Sequence, residues 1–109
     1  MKIPSTEALS DTGWLELPAS FAATGSKVYY RKIDNIVNVI VPHVTFTGTV
    51  NADHTVCNIP VGFRPKAQLF QRSWSKTYDG FFYLTTGGDL KINFSTSGVE
   101  YNFNATYMV

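Results

Sequence analysis

Arg72, Trp74, Tyr78 and Asp79 gather a cation, two large aromatic rings and a carboxylate within eight residues of one another. That set suits saccharide recognition. An aromatic face offers a platform to one face of a sugar ring, while charged groups donate to and accept from its hydroxyls. Strand spacing puts Arg72 and Trp74 on one face, and the loop that follows can bring Tyr78 and Asp79 over them. The same residues also have a plainer use, with Arg72 stacked on Trp74 at a subunit interface and Asp79 serving an Asp79-Gly80 turn.

Other chemistries find less to work with. His54 and Cys57, with His43 as a third ligand, are the residue types of a metal site. A separation of three sets His54 and Cys57 on opposite faces of a strand unless a bulge intervenes, and structural zinc normally takes four ligands. No metal or other cofactor is expected. No serine stands in a nucleophile-elbow pattern. Glycoside hydrolysis needs two carboxylates across a cleft, yet Asp34, Asp53, Asp79 and Asp89 all lie in or beside turns, where a carboxylate bonds its own backbone. Glu100 with Asp79 is the pair that stays open to that use. Gly87-Gly88 reads as a hairpin turn and not a phosphate loop, because no helix follows it. The expectation is a protein that binds without catalysing.

The elements that must position these residues are strands. Residues 1–12 are polar and without period and read as a linker, like the end of a longer connection; residues 13–109 read as a single β domain. Residues 13–17 form a short first strand, at an edge because Pro18 cannot donate to a ladder. Phe21 is the one apolar anchor of the loop that follows. Residues 28–32 and 36–41 flank Ile33-Asp34-Asn35, whose Asp and Asn supply turn chemistry, so they predict a hairpin. Val37, Val39 and Val41 share one face of its second strand and Ile36 and Ile40 the other. With both faces apolar, the second face is expected to meet another sheet or another subunit.

Residues 44–50 alternate as a separate half-buried strand, and residues 54–59 as the next. The stretch Asn58-Ile59-Pro60-Val61-Gly62-Phe63-Arg64-Pro65 then breaks the pattern. Two prolines and a glycine exclude a central strand, while Ile59, Val61, Phe63 and Arg64 predict that the corner packs back on the core at the crossing between two halves of the domain. Beyond it, residues 66–74, 81–86, 89–94 and 99–107 alternate as four more strands, with Gly87-Gly88 as the tightest turn. About eight short strands and no useful helical period indicate a sandwich, jelly roll or barrel.

Composition agrees with that outline. The 109 residues hold eight Phe, six Tyr and two Trp, with charged residues only 16% of the chain, which favours a β-rich packed domain over disorder. A net charge of +1, with Lys and Arg scattered singly, argues against nucleic acid as a partner. Cys57 is the single cysteine, so no internal disulfide forms. The N-terminus lacks the apolar run of a signal peptide, and no stretch approaches the roughly 20 apolar residues of a membrane helix. A soluble protein, or part of a larger soluble assembly, is expected.

Taken in order, Asp11-Thr12-Gly13-Trp14, Tyr30-Arg31-Lys32-Ile33-Asp34-Asn35-Ile36-Val37, Ile59-Pro60-Val61-Gly62-Phe63-Arg64-Pro65 and Gly87-Gly88-Asp89-Leu90-Lys91-Ile92 carry a resemblance. Over about residues 11 to 109 the chain resembles the C-terminal head domains of tail fibre and receptor-binding proteins, or baseplate adhesins, from bacteriophages of Gram-positive hosts. The resemblance implies a compact antiparallel β-barrel or jelly-roll-like head, assembled as a homotrimer at the tail tip or baseplate of the virion. It implies adhesion to a host cell-wall or surface saccharide, with other tail or baseplate proteins met through the N-terminal side. Arg72, Trp74, Tyr78 and Asp79 are then the candidate saccharide contacts. The family usually carries glycine where Asp34 stands, and aspartate is tolerated in that left-handed turn. Two rival readings stand beside it: a trimerising tip or fibre-joining module that binds no sugar, and an enzyme that degrades cell-wall polysaccharide.

Overall fold

A computed structural model describes residues 10–73 and 79–109, and among them all regular structure is β. Eight strands follow one another: β1 (Leu15–Pro18), β2 (Lys27–Ile33), β3 (Ile36–Phe46), β4 (Asp53–Asn58), β5 (Leu69–Arg72), β6 (Gly80–Leu84), β7 (Asp89–Phe94) and β8 (Val99–Met108). They form two four-stranded antiparallel sheets, ordered β1-β2-β3-β8 and β4-β7-β6-β5. The first sheet faces the second across a core of Val28, Val37, Val39, Val41 and Phe46 on one side and Val56, Phe82, Leu84, Leu90, Ile92 and Phe94 on the other, all fully buried. An inward set from each sheet interdigitating in this way is what holds a sandwich together.

The β2–β3 hairpin forms as the turn chemistry predicts. Ile33 pairs with Ile36 across Asp34-Asn35, and Asp34 adopts a φ of 53°. Its carboxylate accepts the Ser10 N–H at 2.9 Å while its own N–H donates to the Ser10 carbonyl at 2.7 Å. Ser10 to Thr12, the last of the expected linker, are thereby tied to the hairpin: Asp11 bridges Ile33, and the Thr12 N–H donates to the Lys32 carbonyl. As expected, β1 is an edge strand, with Pro18 opposite Lys27. Phe21 departs from expectation. It is 48% exposed at a φ of 58° and leans on the His54 ring, not on the core.

Residues 44–50 are not a separate strand. β3 runs on through Pro42 to Phe46 and stops there, leaving Val50 exposed outside any strand. The ladder to β8 shifts between Val41 and Val44, and His43 takes a φ of 40°. This bulge changes the parity of the inward set, from Val37, Val39 and Val41 to Val44 and Phe46, so that one long strand stays apolar towards the core throughout. Pro42 is tolerated there because a bulge asks nothing of its missing N–H.

The corner at residues 58–65 also sits differently from expectation. It does not join the two halves; it carries the chain from β4 to β5, the two edges of the same sheet, completing a Greek key around the β5-β6-β7 meander. Crossings between sheets fall at residues 47–52 and 95–98. Ile59 and Pro65 are buried and Phe63 meets Tyr30 edge-on at 5.0 Å, but Val61 is 79% exposed. Arg64 closes the corner on itself, its Nε donating to the Ile59 carbonyl at 2.8 Å and a terminal nitrogen to Asn58 Oδ1 at 3.0 Å. The Ile59 N–H and the Asn58 amide then bond the Gly88 and Gly87 carbonyls at 2.8 and 3.1 Å.

The edges of the sandwich are sewn by side chains. Ser73 Oγ, just past β5, donates to the Asn102 carbonyl and accepts its N–H, both at 3.1 Å, and Gln71 Oε1 accepts the Asn104 N–H at 3.4 Å. On the opposite side the Ser20 N–H donates to the Val56 carbonyl at 2.9 Å. The result approaches a barrel without a closed ladder.

Candidate functional site

Alternation on β6 decides what the outside of the second sheet looks like. Gly80-Phe81-Phe82-Tyr83-Leu84 turns Phe82 and Leu84 into the core, so Phe81 and Tyr83 stand on the outer face, half-buried. The register with β5 sets Phe70 opposite Tyr83 and Arg72 opposite Phe81. Phe70, Phe81 and Tyr83 form a triangle of rings with centroids 5.2 to 5.4 Å apart. Phe70 is 57% exposed. From β7, Asn93 stands beside Phe81 and Lys91 beside Tyr83, and from β4, Asp53 stands beside Asn93, whose amide donates to Asp53 Oδ1 at 3.0 Å.

Arg72 and Asp79, predicted from sequence to lie together, do so: a guanidinium nitrogen is 3.8 Å from Asp79 Oδ1, with the side chains 76% and 89% exposed. An ion pair so open adds little stability. Its groups remain able to bond a ligand. Asp79 is held by its backbone, its N–H donating to Ser95 Oγ at 3.2 Å and its carbonyl accepting the Ser95 N–H at 2.8 Å. Trp74 and Tyr78 lie outside the described residues.

Two hollows open on this face. One, of about 170 Å³, is lined by Asn51, Arg72, Asp79, Phe81, Asn93 and Ser95. The other, of about 220 Å³, is lined by Asp53, Gln68, Tyr83, Thr85 and Lys91. Each has an aromatic wall and a rim of hydroxyl, amide and charged groups. That combination accepts a polyhydroxyl ring: its apolar face lies on the aromatic, and its hydroxyls meet paired donors and acceptors. Phe70, Phe81 and Tyr83 were not singled out by sequence. Phe81 and Tyr83 sit in an apolar run where no polar residue marks the outer face, and although strand alternation puts Phe70 on the face of Arg72, the hairpin register is what brings the three rings together.

The His54 and Cys57 side chains serve packing, while His43 is exposed on the β3 bulge. The β4 ladder is irregular between Thr55 and Cys57, so the bulge that would bring His54 and Cys57 to one face is present, and they stand opposite Ile92 and Leu90. His54 stacks on Phe94 at 5.3 Å and its Nε2 meets the Thr49 carbonyl at 2.7 Å. Burial foremost, with the Asp89 charge adding, pushes the Cys57 thiol up to about 12 and keeps it neutral. Among the described residues no group of three or more His, Cys, Asp or Glu could hold a metal.

The outer face of the first sheet differs in kind. Trp14, Tyr29, Ile40 and Pro42 line a wholly apolar hollow of about 380 Å³, and Ile36 pairs with Met108 nearby, 47% and 62% exposed. The second sheet covers the valine face of β3 and leaves this isoleucine face open. Arg31 crosses it, held by Asp11 (Nε to Oδ1 2.9 Å) and lying 5.6 Å over the Trp14 ring, and that hydrogen bond holds the Asp11 carboxyl below its usual range.

No protein-family model matches the chain, and no curated protein matches it.

Proposed function

We propose that the domain is a non-catalytic saccharide-binding head, and that it serves as the receptor-binding tip of a phage tail, carried in the virion as a homotrimer. The observation that carries the saccharide reading is the open aromatic triangle of Phe70, Phe81 and Tyr83 on the outer face of the second sheet, rimmed by Arg72, Asp79, Asn93 and Lys91. The phage setting draws its support from the ordered motifs in the sequence. The openness of Arg72 and Asp79 supports binding over catalysis, because water-excluded sites are where charged groups gain their catalytic leverage. Trimeric assembly draws support from the uncovered apolar face around Ile40.

Multivalency makes shallow sites sufficient. Several heads on one wall raise avidity by about 10² to 10⁴ without new contacts. The test is titration of purified Gram-positive wall polysaccharides and whole cells with the domain and with Phe81→Ala, Tyr83→Ala and Asp79→Ala. Binding by the parent and at least tenfold weaker binding by the aromatic variants is expected, about 1.4 kcal/mol or more. A parent that binds no polysaccharide and no cells rejects the reading. The uncovered face of the first sheet would equally suit a trimerising or fibre-joining module without sugar binding, and that outcome would favour it.

A further inference from the structure

Among the described residues, the outer face of the second sheet carries two neighbouring hollows alike in composition. Two rows of side chains cross the sheet. Asp53, Asn93, Phe81 and Arg72 stand in one, Thr55, Lys91, Tyr83 and Phe70 in the next, each two residues further along its strand. Two residues of strand span about 7 Å. The 170 Å³ hollow lies on the first row with Phe81 as its aromatic wall; the 220 Å³ hollow is walled by Tyr83 and Lys91 of the second row and reaches from Asp53 of the first to Gln68 and Thr85 beyond. Their aromatic walls are neighbours at 5.2 Å, and the Asn93–Asp53 hydrogen bond joins the rim of one to the rim of the other.

Charge is balanced in each. Arg72 and Asp79 line the first, Lys91 and Asp53 the second. A site for a phosphate, sulfate or uronate would gather cations and keep carboxylates away, since like charges oppose an anion and unlike ones attract it. Among the described lining residues, each cation has a carboxylate on the same rim. Such a pair offers donors and acceptors side by side, which is what an uncharged ring with several hydroxyls can use at once.

We propose that this face binds two consecutive residues of an uncharged saccharide chain, one in each hollow, with the chain running along β6 over Phe81 and Tyr83. This rests on the saccharide reading above and adds to it a minimum length and a charge class. The two hollows act as linked subsites, so a ligand that fills both gains over one that fills either.

The test is an array of immobilised glycans of one to four residues, neutral and uronic-acid, probed with the intact domain and followed by calorimetry on the soluble forms of the hits. Expected is binding to neutral glycans of two or more residues, at least tenfold tighter than to the matching monosaccharides. Asp79→Ala in one hollow and Lys91→Ala in the other should each bring the disaccharide down towards the monosaccharide affinity, with unchanged thermal unfolding as the check on folding. Monosaccharides bound as tightly as longer chains, a preference for the acidic glycans, or sensitivity to only one of the two substitutions overturns the two-subsite proposal and leaves saccharide binding standing. Absence of binding to every glycan and to intact wall polysaccharide removes both.

Discussion

Gly88 is where the corner and the β6–β7 hairpin meet. Its φ is 89°, and a Cβ there would lie 2.4 Å from the Ile59 carbonyl oxygen and 2.6 Å from Arg64 Nε. Backbone strain and overpacking act together at this position, so Gly88→Ala is expected to cost about 3 kcal/mol or more, read from urea unfolding. Cys57 reports on burial in another way. Its thiol keeps its proton up to about 12 when folded, while the ordinary value is 9.0. Between those values the unfolded chain binds fewer protons, so the Cys57 contribution is fully present below pH 9 and is lost as pH rises towards 12, by at most about 1.4 kcal/mol per pH unit. Urea midpoints measured from pH 8 to 11 should fall less steeply in Cys57→Ala than in the parent. Burial raises the Tyr107 hydroxyl as well, so the parent and the variant both keep some of the slope. An equal slope in the two proteins would mean that the thiol is not buried as described.

At the scale of elements, legibility followed the kind of signal each residue carries. Asp34 and Asn35 specify a turn locally, and the hairpin is where they put it. The proximity of Arg72 and Asp79 was readable because a single hairpin brings them together. The bulge at Pro42 and His43 was not, since a parity change between Val41 and Val44 looks the same whether one strand bulges or two strands meet. The corner announced itself through Pro60, Gly62 and Pro65, but those residues speak of dihedrals and not of which strand β4 will pair with. Gly87-Gly88 misled by one position: the Gly88 N–H closes the turn on the Thr85 carbonyl at 2.9 Å, and β6 ends at Leu84. The bulge has a direct test. Deleting His43 leaves Val41 and Val44 two positions apart, so a regular strand keeps Val37, Val39, Val41, Val44 and Phe46 on one face and cooperative unfolding should survive. His43→Gly keeps the extra residue at a φ of 40° and should remain within about 1 kcal/mol of the parent. If the deletion loses cooperative unfolding, the bulge is not what reconciles the two inward sets.

For the whole molecule, the two outer faces divide the work: a rimmed aromatic surface on one sheet, and on the other an apolar hollow beside the hydrogen-bonded Asn38, Asn104 and Thr106. In the proposed trimer the apolar face is covered, so light scattering should give three chains per particle and the melting temperature should rise with protein concentration. Ile40→Arg should yield a folded monomer that keeps saccharide binding per chain and loses avidity. A parent that is monomeric at working concentration would reject the trimer. The long β3–β8 pairing has a consequence of another kind. β3 is made early, and its partner follows only after β4 to β7 have been made. Until β8 arrives, the edge of β3 shows unpaired amides next to Val37, Val39 and Val41, an invitation to any other strand nearby. The pairing closes a large loop, which slows its formation, and nascent chains on one messenger are near neighbours during that wait. The first three strands are therefore the part of this protein that most needs shelter while it is being synthesised.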